Sequence, residues 1–410
     1  MSGADPEVTI TGIAAGGDGV ARLPDGRVVF VPRTAVGDRV RLRSVRHHAR
    51  FSRAAIEALV DPGPGRTEPP CPHYDGDRCG GCQLMHLTAD AQRMAKQRIA
   101  GDAVRRIAKV EVADPGITAA PDQLGYRSKV TFAVRHGRIG YHRLHEPDSV
   151  FDVERCLIAH PLMQRLHAAL RAARALLPPE TTTVVLRADR GGRAHLIVAT
   201  GAGNAWTGAP ALAAALAGHG VDAVIWWHPE SGAPRAMAGA DDAWPATVFE
   251  QVYPAMGDMV RASAIAALGD VGGKTVWDLY AGIGETSAAL ARRGARVESV
   301  ERDQTAVHLA ERLDPGAARR HAGSAEDLIG SLPEAQLVVT NPPRVGMAPA
   351  VSAALRRSGA ARIVYISCDP ATLARDLGRL APEFRLSSLE IFDQFPQTAH
   401  LESVAVLERT

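Results

Sequence analysis

The chain of 410 residues lacks any uninterrupted apolar span of membrane length, although 46% of its residues are hydrophobic. Those residues therefore build a water-excluded protein core and do not cross a bilayer, and no membrane partner is expected. It also lacks an excess of charge: 47 basic against 45 acidic residues leave +2, which by itself says little about partners. Cysteine is scarce, five residues in all, and no apolar signal segment precedes them. Reduced thiols in a cytoplasmic protein are thus expected, not a disulfide framework. No internal repeat or low-complexity tract stands out, and the length suggests two or three domains.

What charge there is lies unevenly. Arg33, Arg39, Arg41, Arg43, Arg46, Arg50 and Arg53 fall within 21 residues that contain one acid, Asp38. A solvated face is the ordinary explanation of such a run, and a phosphate backbone is the partner it suits best. Strand-like stretches at 7–11, 28–31 and 37–43, with a Gly16-Gly17-Asp18-Gly19 corner, predict a small β-barrel over residues 1–60. Alternation puts Val40 and Leu42 on one face and Arg39, Arg41 and Arg43 on the other, giving the barrel a basic outer wall. Residues 61–70 carry too many prolines and glycines for helix or central strand and read as a linker.

Three of the five cysteines follow in Cys71-Pro-His-Tyr-Asp-Gly-Asp-Arg-Cys79-Gly-Gly-Cys82, a spacing that lets neighbouring thiolates address one metal centre. Thiolate ligation does not choose the metal, so a closed zinc site, with four thiolates or with His73 or His86 in place of one, stays open. A helix is predicted from 88 to 109, with Thr88 as N-cap and Arg93, Lys96, Arg98, Arg105 and Arg106 on its outer surface. Strands at 126–141, 150–153, 182–186, 195–200 and 221–227 form a mixed middle region that includes Cys156.

From about Val248 buried strands at 275–279, 296–300, 336–340 and 362–367 alternate with Ala-rich helices. That pattern implies an α/β fold with a doubly wound parallel sheet and ligands at the carboxyl ends of its strands, closed by an antiparallel edge at 385–392 and 400–407. Gly282-Ile-Gly284 lacks the third glycine of a dinucleotide fingerprint, yet Glu301 closes the next strand where it would meet a ribose diol. An adenosyl ligand without pyrophosphate, S-adenosyl-L-methionine, fits better than a nicotinamide dinucleotide. Asn341-Pro342-Pro343-Arg344 ends another strand, and Ser367-Cys368-Asp369-Pro370 ends the next. Cys368 taken alone reads as a small buried hydrophobe; beside a nucleotide-type turn it becomes a candidate for a covalent step.

Together these motifs resemble the RNA uridine-5-methyltransferases that carry an N-terminal TRAM barrel and an iron–sulfur cluster. The likeness covers nearly the whole chain, through the barrel turn, the four cysteines, Tyr126-Arg127-Ser128-Lys129, Phe249-Glu250-Gln251, Asp278 to Gly284, Asn341 to Arg344, Ser367 to Asp376, and Phe395-Pro-Gln-Thr-Ala-His-Leu-Glu402. It implies a 4Fe-4S cluster on Cys71, Cys79, Cys82 and Cys156. Gln251, Tyr280, Glu301 and Asn341 would line the cofactor and base pocket, with Cys368 as nucleophile and Glu402 as base. The implied domains are an OB-like RNA-binding barrel at 1–60, a central domain at 61–247 and a Rossmann-like methyltransferase domain at 248–410, with the helix near 88–110 packed on the last. The implied partner is ribosomal or transfer RNA, acted on by a monomer.

Two positions depart from the family pattern. Asn341 stands where aspartate is usual and Tyr253 where asparagine is usual; an asparagine amide can flip to donate toward a cytosine ring nitrogen, so a cytosine-directed or catalytically impaired RNA-binding homologue is the alternative. Glu285 adds a negative charge where relatives often have a small polar residue. A radical methylthiotransferase also combines such a barrel with a cluster, but its cysteines lie closer together than Cys71 and Cys79.

Overall fold

The computed structural model describes residues 6–201, 206–239 and 248–410; the expected boundary at 247/248 falls on residue 247, outside the described residues. Six strands open the chain: β1 (Glu7–Thr9), β2 (Gly12–Ile13), β3 (Gly19–Arg22), β4 (Val28–Val31), β5 (Arg39–His47) and β6 (Ser52–Asp61). They pair in the order β1-β5-β6-β4-β3-β2. No ladder joins the two end strands, so in hydrogen-bond terms this is an open sheet and not the closed barrel expected. It curls because β1 and β2 are halves of one bent segment, and the Thr11 N–H between them donates to the Val20 carbonyl of β3 at 2.8 Å. Val40 and Leu42 are buried while Arg39, Arg41 and Arg43 face water, as alternation requires. The sequence reading passes over β6, whose weak alternation runs into the proline-rich linker. That linker is docked: buried Asp38 accepts from the Ala35 and Gly63 N–H groups at 2.7 Å and from Arg66 at 2.5 Å.

After α1 (Pro72–Asp75) comes α2 (Ala89–Ala103), capped by the Thr88 hydroxyl, which accepts the Ala91 N–H at 3.3 Å. One face of α2, containing Gln92, Lys96, Ile99 and Ala100, is buried. Lys96 is thus not on the outer surface: it is fully buried and pairs with Asp393 at 2.5 Å. A lysine tolerates such burial only with a carboxylate partner, which here comes from nearly three hundred residues away.

The next strand, β7 (Gly116–Thr118), leaves this region and pairs with the last sheet. A central sheet then contains β8 (Lys129–Arg135), β9 (Arg138–Arg143), β10 (Glu146–Asp152), β11 (Thr181–Ala188), β12 (Ala194–Thr200), β13 (Ala223–His228) and β14 (Arg235–Ala238), in the order β10-β9-β8-β11-β12-β13-β14. Its inner face packs Phe132, Leu186 and Val198 against Met163, Leu166, Leu170, Leu212 and Leu216 of α3 (Pro161–Ala172) and α4 (Ala209–Gly218).

The last sheet alternates α5 (Pro254–Leu268), β15 (Thr275–Leu279), α6 (Glu285–Arg292), β16 (Arg296–Glu301), α7 (Gln304–Leu313), β17 (Arg319–Ala322), α8 (Ala325–Leu328), β18 (Leu337–Thr340), α9 (Pro349–Arg357), β19 (Arg362–Ser367), α10 (Pro370–Leu380), β20 (Phe384–Phe392) and β21 (Glu402–Arg409). Strand order is β17-β16-β15-β18-β19-β21-β20-β7. The chain reverses its winding between β15 and β18, which puts a ligand crevice beyond their carboxyl ends. β20 and β21 are antiparallel as expected, but β7 pairs beyond β20, so neither is an edge.

Candidate active site

The strand order sets out the predicted residues in a row. Glu301 ends β16, Tyr280 follows β15, Asn341 follows β18, Cys368 follows β19 and Glu402 begins β21. Because β21 is antiparallel to β19, with Ser367 opposite Ser403, its first residue meets the last residues of β19. Cys368 and Glu402 are thereby brought together. Cys368 also precedes the N-terminus of α10, where Asp369 accepts the Ala371 and Thr372 N–H groups at 2.9 Å. The positive end of that helix favours a thiolate.

Opposing charges tune this pair. Glu402 is buried, not the solvated surface group that its type suggests, and burial pushes its carboxyl up to about 8. Burial also raises the Cys368 thiol, helped by the charge of Glu402. The Arg344 guanidinium, which donates toward the Cys368 sulfur, opposes both shifts. Sequence reasoning quoted Arg344 with its motif but gave it no role; its place directly after the rigid Asn341-Pro342-Pro343 turn was the available signal. The loop bearing it is held from below by Asp376, which accepts from the Met347 N–H and the Tyr365 hydroxyl at 2.8 Å.

On the other side of Asn341, the turn after β15 holds three left-handed residues, Tyr280 (φ 63°), Gly282 (φ 57°) and Gly284 (φ 77°). Left-handed backbone strains a tyrosine, and such strain clusters at ligand sites. A side chain built on Gly282 would meet nothing within 4 Å, so that backbone faces open space. Glu301 spans the crevice, accepting from the Gly282 N–H and the Asp303 N–H, both at 2.8 Å. Asp278 beneath the turn is pushed up to about 6 by burial and accepts the Ser287 hydroxyl at 2.5 Å. Gln251 reaches the cleft from the chain before α5 and accepts from Gln394 at 3.3 Å. Buried Thr340 Oγ1, Gln394 Oε1 and Ser403 Oγ, all within a few residues of this row, lack hydrogen-bond partners among the described residues.

The four remaining cysteines also come together. Cys71, Cys79, Cys82 and Cys156 line one cavity of about 240 Å3 with Arg127, Arg344, Phe395 and His400, and Arg344 links it to Cys368. All five cysteines are free. Burial raises each of the four thiols; the charges of neighbouring cysteines add to this at Cys79, Cys82 and Cys156, and that of Asp77 at Cys71. Backbone N–H groups point at three sulfurs: Gly81 at Cys79 (3.4 Å), His73 and Tyr74 at Cys71, Ile158 and Ala159 at Cys156. Among the described residues no group of three or more His, Cys, Asp or Glu side chains is placed to hold a single metal ion. His73 and His86 are engaged elsewhere, with Asp77 at 2.8 Å and Tyr74 at 2.6 Å.

Of the three positions that differ from the family pattern, Tyr253 and Glu285 have structural partners. Tyr253 is buried against the Tyr126 ring, centroids 4.8 Å apart, and its hydroxyl donates to Asp122 at 3.0 Å. Glu285 is neutralised by Arg261 and by Arg190, the latter at 2.6 Å.

Comparison with known proteins agrees with this geometry. Residues 331–410 match the tRNA (uracil-5-)-methyltransferase family, and residues 1–55 match the TRAM domain. An uncharacterised RNA methyltransferase of Gloeobacter violaceus is 33% identical over 453 aligned residues, covering 100% of this chain and 98% of that protein. The 23S rRNA (uracil(1939)-C(5))-methyltransferase RlmD of Chromohalobacter salexigens is 32% identical, covering 98% of this chain and 89% of that one. In fold, the chain is similar to the crystal structure of the Pyrococcus abyssi tRNA (uracil-54, C5)-methyltransferase in complex with S-adenosyl-L-homocysteine, with a TM-score of 0.73, 21% identity and coverage of 98% and 100%. The chain belongs to the RNA uracil-C5-methyltransferase family, and carries that family's S-adenosylmethionine-dependent catalytic fold behind an N-terminal TRAM domain.

Proposed function

We propose that this protein methylates carbon 5 of a uridine in RNA through a covalent adduct between Cys368 and carbon 6. The observation that carries the reading is the register of β19 and β21, which sets a thiol beside a buried carboxylate at the mouth of the cofactor crevice. Full-length relatives named for 23S rRNA make ribosomal RNA the first substrate to test, ahead of transfer RNA.

S-adenosylmethionine supplies the methyl group as an electrophilic sulfonium. Carbon 5 of uracil is too weak a nucleophile to take that methyl unaided. The Cys368 thiolate adds to carbon 6, and the electron pair of the 5,6 double bond moves toward carbon 5 and the carbonyl oxygen at position 4. Arg344 and the α10 N-terminus work against the burial that keeps this thiol protonated, and so favour the anion that attacks. Once carbon 5 has formed its new bond it carries both hydrogen and methyl. Glu402 takes the proton, the double bond reforms and the Cys368 sulfur leaves as thiolate. A carboxylate whose affinity for protons lies near neutral pH suits that task better than an ordinary one. Asn341 and Gln251 flank the base, and the Asn341 side-chain oxygen accepts the uracil ring N–H when turned toward it.

The four-cysteine cavity is read as the seat of a 4Fe-4S cluster, held by Cys71, Cys79, Cys82 and Cys156. Those four thiolates would supply the cysteine ligands an iron–sulfur cluster needs, whereas His73 and His86, the alternative ligands of a zinc site, are engaged with Asp77 and Tyr74. Backbone N–H groups aimed at the sulfurs are the contacts that stabilise such a cluster's charge. The reading divides the chain into a barrel at 1–60, a cluster-bearing central domain at 61–247 and a catalytic domain at 248–410.

Denaturing gels with labelled RNA test the mechanism. Cys368→Ala should give no covalent adduct, whereas Glu402→Gln should accumulate a methylated adduct that cannot eliminate. Equal adduct from Cys368→Ala and the parent enzyme would refute the assignment.

A further inference from the structure

The arginine run of the barrel is largely spoken for. Arg33 pairs with Asp75 at 2.9 Å, Arg39 with Asp61 at 2.5 Å and Glu7 at 3.1 Å, Arg41 with Glu7 at 3.1 Å and Arg53 with Asp18 at 3.0 Å. Acids outside the run supply these partners, so a count of charge within it overstates the field it presents. Of the other three, Arg43 donates to the Ile56 carbonyl at 3.2 Å, and Arg46 and Arg50, both exposed, likewise have no acidic partner among the described residues. They flank the tip of the β5–β6 hairpin, which is closed by the His48 N–H donating to the Phe51 carbonyl at 2.8 Å.

That tip carries an aromatic stack. The His48 ring lies on the Phe51 ring with centroids 4.7 Å apart and planes at 23°. Phe51 meets the Phe30 ring edge-on at 5.5 Å, and the Arg53 guanidinium stands about 6 Å from both phenyl rings. Residues 1–60 contain no tryptophan or tyrosine and only these two phenylalanines. Neither belongs to the barrel core, which is aliphatic throughout. A small barrel that packs without aromatic residues has instead placed both at one surface, beneath an exposed histidine between two unpaired arginines. An exposed ring backed by a second ring is a platform for a nucleobase, and stacking requires a base that is not paired in a duplex.

Resting on the RNA-methyltransferase reading, we propose that His48 and Phe51 form a stacking site for one unpaired base of the RNA substrate, with Arg46 and Arg50 on the adjoining phosphates. The barrel then selects single-stranded segments beside the target uridine and does not grip duplex through its basic wall.

The test uses the full chain and two fluorescein-labelled probes, a single-stranded oligouridylate and a blunt RNA duplex. The double variant His48→Ala/Phe51→Leu should bind the single strand about tenfold more weakly, within the range of one base–aromatic stack, with its salt dependence unchanged. Duplex affinity should not move. Arg46→Gln/Arg50→Gln should flatten the salt slope by about one to two, as loss of two phosphate contacts requires, whereas Arg39→Gln should leave it alone. Phe51→Trp should keep single-strand affinity and add fluorescence that the oligouridylate quenches, which a merely structural role for Phe51 would not produce. Unchanged single-strand affinity in the double variant, an equal loss for duplex, or an unquenched tryptophan would each overturn the site. A parent enzyme that methylates no RNA, with the single-strand effect intact, would sink the catalytic reading and leave this surface standing.

Discussion

Replacing Glu402 by glutamine should abolish turnover and stabilise the fold, with a pH dependence that follows from burial. In the unfolded chain Glu402 ionises near its ordinary 4.5, whereas in the folded protein burial pushes it up to about 8. The folded state therefore holds a proton that the unfolded state has released. Stability from this group is fully present below 4.5 and is lost as pH rises through 8. At about 1.4 kcal/mol for each pH unit, the interval sets an upper limit of about 5 kcal/mol on the loss. Glutamine, of the same shape but without a titration, removes it. Amide exchange along β19 and β21, where Val364, Val404 and Ala405 are buried, reads the local opening free energy at the site. Glu402→Gln and the parent enzyme should exchange alike near pH 5, and the variant should become progressively more protected up to about pH 8. Comparison at each pH cancels the intrinsic exchange rate. A difference that is constant with pH, or protection that falls in the variant, would show that Glu402 is ionised in the free enzyme and that the Arg344 charge outweighs burial.

Lys96→Met should cost about 3–5 kcal/mol of unfolding free energy by denaturant titration, because it leaves Asp393 buried without its cation; adding Asp393→Leu should restore most of the loss. Anaerobically purified protein should contain four irons and four sulfides per chain by metal and acid-labile sulfide assays. Cys156→Ser should lower that content and destabilise the fold. Stoichiometric zinc in the parent protein would replace the cluster reading.

The catalytic sheet was legible in the sequence because its strands are buried on both faces and so read as continuous apolar runs, with chemistry at their ends. Cys368, Glu301 and Asn341 could be placed on that ground alone. What the sequence hides is whatever depends on remote partners. Lys96 looks like one more basic residue on an amphipathic helix until Asp393 arrives. The arginines of the barrel look unpaired within a short window, yet Glu7, Asp61 and Asp75 neutralise them from outside it. β7 has no local mark of a strand, and its pairing with β20 is set by the tertiary fold. Tyr253 read only as a departure from the family pattern, whereas its ring fills a contact with Tyr126.

The segment between β20 and β21 explains why so large a chain surrounds so small a reaction. Glu402 is fixed at one end by the sheet, but the residues before it run across the cleft with little ladder to hold them. Every other region supplies a tie. Lys96 of α2 binds Asp393 and the Phe395 carbonyl, and Gln92 of the same helix accepts from the Gln397 N–H at 2.8 Å. Before the central sheet, the Tyr126 hydroxyl donates to the Pro396 carbonyl at 2.9 Å. From the cysteine region, the Leu84 N–H donates to the Gln397 carbonyl at 3.0 Å. The barrel reaches it as well: a side chain built on Gly17 would meet Ala399 at 3.4 Å and strike Gln83 at 2.6 Å. Phe395 and His400, held in this way, line the thiol-bearing cavity together with Arg344. On the proposed mechanism the carboxyl-terminal half supplies the reacting groups, while the amino-terminal half supplies the constraints that keep thiol, carboxylate and guanidinium in one geometry. Preorganisation of that kind lowers the barrier only if the whole fold is assembled around the strap.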